Sequence, residues 1–162
     1  TEGARIDGMG MQGHYDIDYP TVEAFEESAR AYGEVVGTIM LTELDLKSKV
    51  YDGTEATLDI EYSKQAHKYK AIYESLKKLN EEGVVKPTGM TVWGVIDGNS
   101  WLQAYTGVGG GVTDGSPQCP LLFDDDYHGI FNDDNGVNYA SKSCHCCRSY
   151  SGSFRYRNLF DR

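Results

Sequence analysis

The chain has 162 residues, enough for one domain with a buried core. Its 25 acidic and 15 basic residues leave a formal net charge of −10, which argues against a nucleic-acid or anionic-membrane partner, since both need a basic footprint. No apolar stretch is long enough to cross a bilayer, and the opening residues carry no secretory signal pattern. The chain starts at Thr1 and runs almost at once into a strand-like segment, so an upstream portion is expected.

Residues 5–14 read as the first strand. Ile6, Gly8, Met9, Gly10 and Met11 are small or apolar, and Gln12 and His14 close it. Pro20 falls where the first turn of a helix tolerates proline. Val22, Phe25, Ala29 and Tyr32 then recur at helical spacing, and Gly33 supplies a stop.

A second strand follows over 38–44. It lies in Ile39-Met40-Leu41-Thr42-Glu43-Leu44-Asp45-Leu46, an apolar run that delivers two carboxylates. Residues two apart on a strand project to the same side, so Glu43 and Asp45 share a face. An ionised pair in an apolar strand is costly unless something uses it. Taken alone, Glu-x-Asp reads more readily as ordinary surface acids at a solvated strand end.

A polar loop with Asp52-Gly53 leads to a longer helix over 58–82. Its apolar stripe is Ile60, Ala66, Tyr69, Ile72, Tyr73, Leu76 and Leu79, and Gly83 ends it. After Pro87 a third strand covers 90–96. Strands alternating with amphipathic helices predict βαβ units and a parallel sheet. In such sheets function gathers at the carboxyl ends of the strands. Gln12, His14, Glu43, Asp45, Trp93 and Asp97 all fall at or near those ends. Polar residues scattered for solubility would not respect strand direction.

Beyond Gly98 regular structure fades. The glycine-rich stretch 108–116 lacks a Gly-x-Gly-x-x-Gly fingerprint opening a helix, so nucleotide binding is rejected and no cofactor is expected. Cys144-His145-Cys146-Cys147 is too tight to give four tetrahedral ligands. No metal site is expected, and 131–162 reads as an irregular tail, disordered or redox-active. Stoichiometric zinc in the purified protein would reopen a metal-linked reading of that cluster.

Four motifs in order carry a resemblance: Gly10-Met11-Gln12-Gly13-His14, Thr42-Glu43-Leu44-Asp45, Thr91-Val92-Trp93-Gly94-Val95 with Asp97 and Ser100-Trp101, and Pro120-Leu121-Leu122-Phe123-Asp124. Together they resemble the carboxyl-terminal part of a family 10 glycoside hydrolase, an endo-β-1,4-xylanase. The resemblance implies an α/β fold, a (β/α)8 barrel of which residues 1–130 form an incomplete C-terminal portion with about three βα units. It implies that Glu43 is the nucleophile, that His14 hydrogen-bonds it, and that Asp45 holds His14. Gln12 lies beside them as a substrate contact, and Trp93 and Trp101 wall the sugar subsite next to the cleaved bond. The implied substrate is xylan or a xylo-oligosaccharide, handled outside the cell without metal or cofactor.

The chemistry makes sense of these residue types. A retaining glycosidase uses two carboxyl groups about 5–5.5 Å apart, one as nucleophile and one as acid/base. Hydrogen bonds to the charged nucleophile keep it ionised, and tryptophan faces stack on pyranose rings. The family's acid/base glutamate, in a Trp-x-x-x-Asn-Glu-like setting on the fourth strand, has no counterpart here. Three strands cannot close a barrel. The chain alone is therefore expected to fold poorly, to self-associate or to need the missing N-terminal part of the barrel, and to show little activity. The alternative is a non-catalytic xylan-binding remnant using Trp93 and Trp101.

Overall fold

The structure is a computed structural model that describes residues 3–48, 55–103, 118–127 and 129, with only the helical backbone for 55–59. In chain order it contains β1 (Gly8–Met11), β2 (His14–Asp16), α1 (Val22–Gly33), β3 (Thr38–Lys47), α2 (Glu55–Glu81) and β4 (Lys86–Val92). Two short 3-10 turns follow, Asp97–Asn99 and Trp101–Gln103. β3 is central, and β1, β2 and β4 all pair with it in parallel. The expected βαβ order and parallel sheet are therefore present.

The first strand differs from expectation. It is two strands, and His14 opens the second instead of closing the first. Met11 pairs with Leu41, but His14 pairs with Asp45. Two residues, Gln12 and Gly13, thus face three, Thr42, Glu43 and Leu44. The ladder continues across this mismatch, because the Glu43 and Asp45 N–H groups donate to the carbonyls of Gln12 (2.8 Å) and Gly13 (3.2 Å). One extra residue in β3 is a bulge, which re-aims the side chains beyond it.

The burial pattern of β3 records the consequence. Ile39 and Leu41 are buried at odd positions, then Leu44 and Leu46 at even ones, all within one core. A one-residue shift exchanges the faces of a strand. Without it, Glu43 and Asp45 would follow Ile39 and Leu41 into the apolar layer. Gly13 permits the close approach on the other side. Its φ is 90°, and a Cβ there would stand 3.2 Å from Leu41 Cδ2 and 3.3 Å from the Leu44 Cα.

The helices cover the sheet through Phe25 and Ala29 of α1 and Tyr62, Ala66, Tyr69, Ile72, Leu76 and Leu79 of α2. Ile60, placed by its spacing on the apolar stripe, is instead exposed, and Tyr73 is half-buried. Thr21 caps α1 by accepting from the Ala24 N–H at 3.2 Å. Pro20 therefore precedes the cap, after a cis peptide bond from Tyr19, and does not occupy the first helical turn.

The third predicted strand is also shifted. β4 begins at Lys86 and includes Pro87. Lys86 N–H donates to Gly37 O, so the nitrogen of Pro87 faces away from β3, the side on which a strand tolerates proline. Residues 93–96 then leave the strand. Gly94, at φ 141°, turns the chain where a Cβ would meet Leu121 Cδ1 at 2.7 Å.

The 118–123 segment docks onto this framework. Pro120 O accepts from Leu46 N–H (3.1 Å) and from the Tyr69 hydroxyl (2.9 Å). Phe123 bridges in parallel to Ile96. Asp97 ties the two pieces together, so its strand-end position does not make it a site residue. It is buried, its Oδ1 accepts from Leu121 N–H at 2.8 Å, and its Oδ2 accepts from the Tyr62 hydroxyl at 3.4 Å.

Candidate active site

The site is built from the outside of the bulge. His14, at the start of β2, stands between the two acids of β3. Its Nε2 lies 3.0 Å from Glu43 Oε2 and its Nδ1 lies 3.0 Å from Asp45 Oδ1. Glu43 and Asp45 therefore share a face, as their spacing implied. His14 and Glu43 are each 26% exposed, whereas Asp45 is 1% exposed. The relay thus runs from a buried acid to a solvent-facing one.

A neutral imidazole carries one N–H. Two ionised carboxylates, one against each ring nitrogen, need two. The tautomer of His14 decides which ring nitrogen donates.

The other oxygen of Asp45 is also engaged. Trp101 Nε1 donates to Asp45 Oδ2 at 2.7 Å. Both tryptophan rings stand nearly perpendicular to the imidazole. Trp93 lies 6.2 Å from it at 79°, and Trp101 lies 5.2 Å away at 69°. Trp93, 47% exposed, is placed by its backbone N–H, which donates to Leu44 O (3.0 Å). Gln12 is exposed and joins the site through its carbonyl, which accepts the Glu43 N–H.

Beside the relay runs a groove of about 650 Å³, walled by Gln12, His14, Asp45 and Trp101 together with Tyr15, Tyr19 and Tyr32. Tyr15 and Tyr19 carried no signal in the sequence, whereas Tyr32 was placed on the α1 stripe and also lines the groove. The Asp45–Trp101 bond had no sequence signal at all, since 56 residues separate the partners. Among the described residues no group of His, Cys, Asp and Glu could hold a metal ion. Cys144 to Cys147 lie outside the described residues.

Burial pushes the Asp45 carboxyl above its ordinary 3.8, and the hydrogen bonds from Trp101 and His14 pull it partly back. An acid with a raised folded pKa binds its proton more tightly in the native state. The stability it contributes is full below 3.8 and is lost as pH rises through the folded value. Asparagine cannot titrate. The unfolding free energy of Asp45→Asn minus that of the parent should therefore rise as pH increases across that window. Urea titrations over a pH series measure it, and a difference independent of pH would contradict the assignment.

Comparison with known proteins shows the family. The family model for Glycosyl hydrolase family 10 matches residues 1–129. A Beta-1,4-xylanase of Dictyoglomus thermophilum is 33% identical over 132 residues, covering 78% of this chain and 34% of the relative. An Endo-1,4-beta-xylanase A of Xylanibacter ruminicola is 34% identical over 119 residues, covering 64% of this chain and 32% of the relative. A thermostable mutant of a xylanase from Cellvibrio japonicus superposes with a TM-score of 0.61 at 27% identity, covering 78% of this chain and 38% of that one. The chain thus spans about a third of the length of these relatives. Its parallel sheet and covering helices are a portion of the family's (β/α)8 barrel. With the profile covering most of its length and the sheet superposing on solved family members, the chain belongs to glycosyl hydrolase family 10.

Proposed function

We propose that this chain supplies the nucleophile side of a retaining endo-1,4-β-xylanase that acts on xylan or xylo-oligosaccharides outside the cell. The observation that carries the reading is the Glu43 carboxylate, part-exposed and held 3.0 Å from His14 Nε2. Glu43 attacks the anomeric carbon and forms a glycosyl-enzyme, which water then hydrolyses. A donor at His14 favours the ionised nucleophile. The aromatic walls of Trp93 and Trp101 suit the apolar faces of a sugar ring. Gln12, exposed and lining the groove, is assigned to substrate contact.

The acid/base is a separate requirement. Asp45 cannot serve, because it is buried and both of its oxygens are engaged. The remaining part of the barrel, which occupies about two thirds of the relatives' length, is the source assigned to that group. The chain is accordingly expected to work with that part, or to self-associate without it.

The test is a chimera in which residues 1–129 replace the matching part of the Dictyoglomus enzyme. It should hydrolyse xylan and release products of retained anomeric configuration, read by proton NMR. The isolated chain should be slower by at least about 10²-fold, the lower range for loss of a general acid/base. A folded chimera that is inactive, or that gives inverted products, would sink the proposal. An isolated chain as fast as the chimera would remove its second half.

A further inference from the structure

The geometry points to a positioning role for Trp101: its indole N–H fixes Asp45 Oδ2, and through Asp45 it sets the hydrogen bonding of His14 toward Glu43. A sugar-wall role does not need this bond. A wall uses the ring face, whereas the N–H lies in the ring plane and is directed at a carboxylate that is 1% exposed.

Each oxygen of Asp45 faces one ring nitrogen, Oδ1 the His14 Nδ1 (3.0 Å) and Oδ2 the Trp101 Nε1, which donates to it (2.7 Å). The charged and titratable groups around Asp45 are His14 from β2, Glu43 on its own strand, and the buried Tyr69 of α2. Desolvation and the nearby acids Asp45 and Asp97 keep the Tyr69 hydroxyl protonated, and it donates to Pro120 O. It therefore does not replace the Trp101 donor.

Loss of the indole N–H leaves a buried carboxylate oxygen without that partner, which a charged group tolerates poorly. Asp45 then takes a proton or turns away. Either change alters the bond at His14 Nδ1, and with it the placement of Nε2 against Glu43 Oε2. Burial already biases Asp45 toward the neutral acid, so the N–H acts against a standing tendency. The short 3-10 turn Trp101–Gln103 supplies the anchoring. Its Leu102 is buried, and the Gln103 side chain donates to the Asp97 and Gln118 carbonyls.

The replacement that isolates the bond is 3-benzothienylalanine at position 101, which keeps the bicyclic ring and exchanges N–H for sulfur. Nitrogen-15 spectra of ring-labelled histidine, taken near neutral pH in the solid state so that self-association does not interfere, should show the His14 Nδ1 signal moved relative to the parent chain. Identical His14 ring signals in the two chains, with the Trp93 indole signal unchanged, would overturn the inference.

A second measurement needs no unnatural residue. The chain has two tryptophans and so gives two indole N–H signals to compare. Trp101 should resonate downfield of Trp93, and Asp45→Leu should remove that displacement. Coincident positions in the parent chain would equally overturn it. The catalytic consequence rests on the proposed function. In the chimera the benzothienyl variant should lose kcat by about tenfold or more with KM little changed, since an interaction acting only on the reacting groups leaves ground-state binding alone. If the chimera is inactive, the xylanase reading fails, and the NMR result still decides the role of Trp101.

Discussion

Replacing Glu43 with glutamine in the chimera should lower kcat/KM on xylan by about 10⁴-fold or more, the loss typical of removing a covalent nucleophile. Glutamine keeps the size of the side chain and an oxygen that can accept from His14 Nε2, now 3.0 Å from Glu43 Oε2. It has no anionic oxygen to form the glycosyl-enzyme. Binding of xylo-oligosaccharide by calorimetry should change little, because the aromatic walls are untouched. Glu43→Ala should regain turnover of an aryl xyloside in azide. Azide then attacks the anomeric carbon, the aryloxide departs, and an α-xylosyl azide accumulates. A Glu43→Gln chimera within tenfold of its parent would remove Glu43 from the mechanism, whatever the family resemblance.

Phe25→Ala should destabilise the chain by about 3–5 kcal/mol, as large-to-small changes at fully buried aromatic positions do. A domain has only about 5–15 kcal/mol in total, so the variant is expected to be largely unfolded at physiological temperature. Phe25 is 1% exposed and lies at the meeting of α1 with the sheet. Its ring sits 6.3 Å from that of Tyr15 at 70°, the residue after His14. The cavity therefore opens directly behind the relay. Urea unfolding reads the loss, and a change under about 1 kcal/mol would show that the site can collapse around the gap. Val22, half-buried on the same helix, should cost less when truncated.

Several elements were legible because their signals are local. Val22, Phe25, Ala29 and Tyr32 set α1 by spacing alone, and the described helix spans Val22–Gly33. The α2 stripe holds at Ala66, Tyr69, Ile72, Leu76 and Leu79, but Tyr73 is half-buried and the N-terminal member Ile60 is 49% exposed. Periodicity marks which residues can share a face, but not whether a neighbour covers that face at every turn. Glu43 and Asp45 were legible as a same-face pair, and His14 and Trp93 as residues near strand ends. Asp97 shows the limit of that rule. Expected at a strand end, it opens a 3-10 turn five residues beyond β4 and serves the packing of 118–123, because a buried carboxylate that accepts from Leu121 and Tyr62 satisfies the chain, not a substrate.

The alternation of strands and helices, the acidic pair on an apolar strand and the histidine one βα unit earlier were determined by the sequence itself, since each depends on residues close together in the chain. Three things were decided only by tertiary structure. The bulge opposite Gln12 and Gly13 arises from pairing between two strands, and neither strand shows it alone. The bond from Trp101 to Asp45 spans 56 residues and exists because a 3-10 turn folds back over the strand ends. The burial that holds the Asp45 carboxyl above its ordinary value is a property of the folded chain. Residue types and spacing specify which groups can meet. Pairing register and desolvation, which are properties of the assembled sheet, decide which of them do.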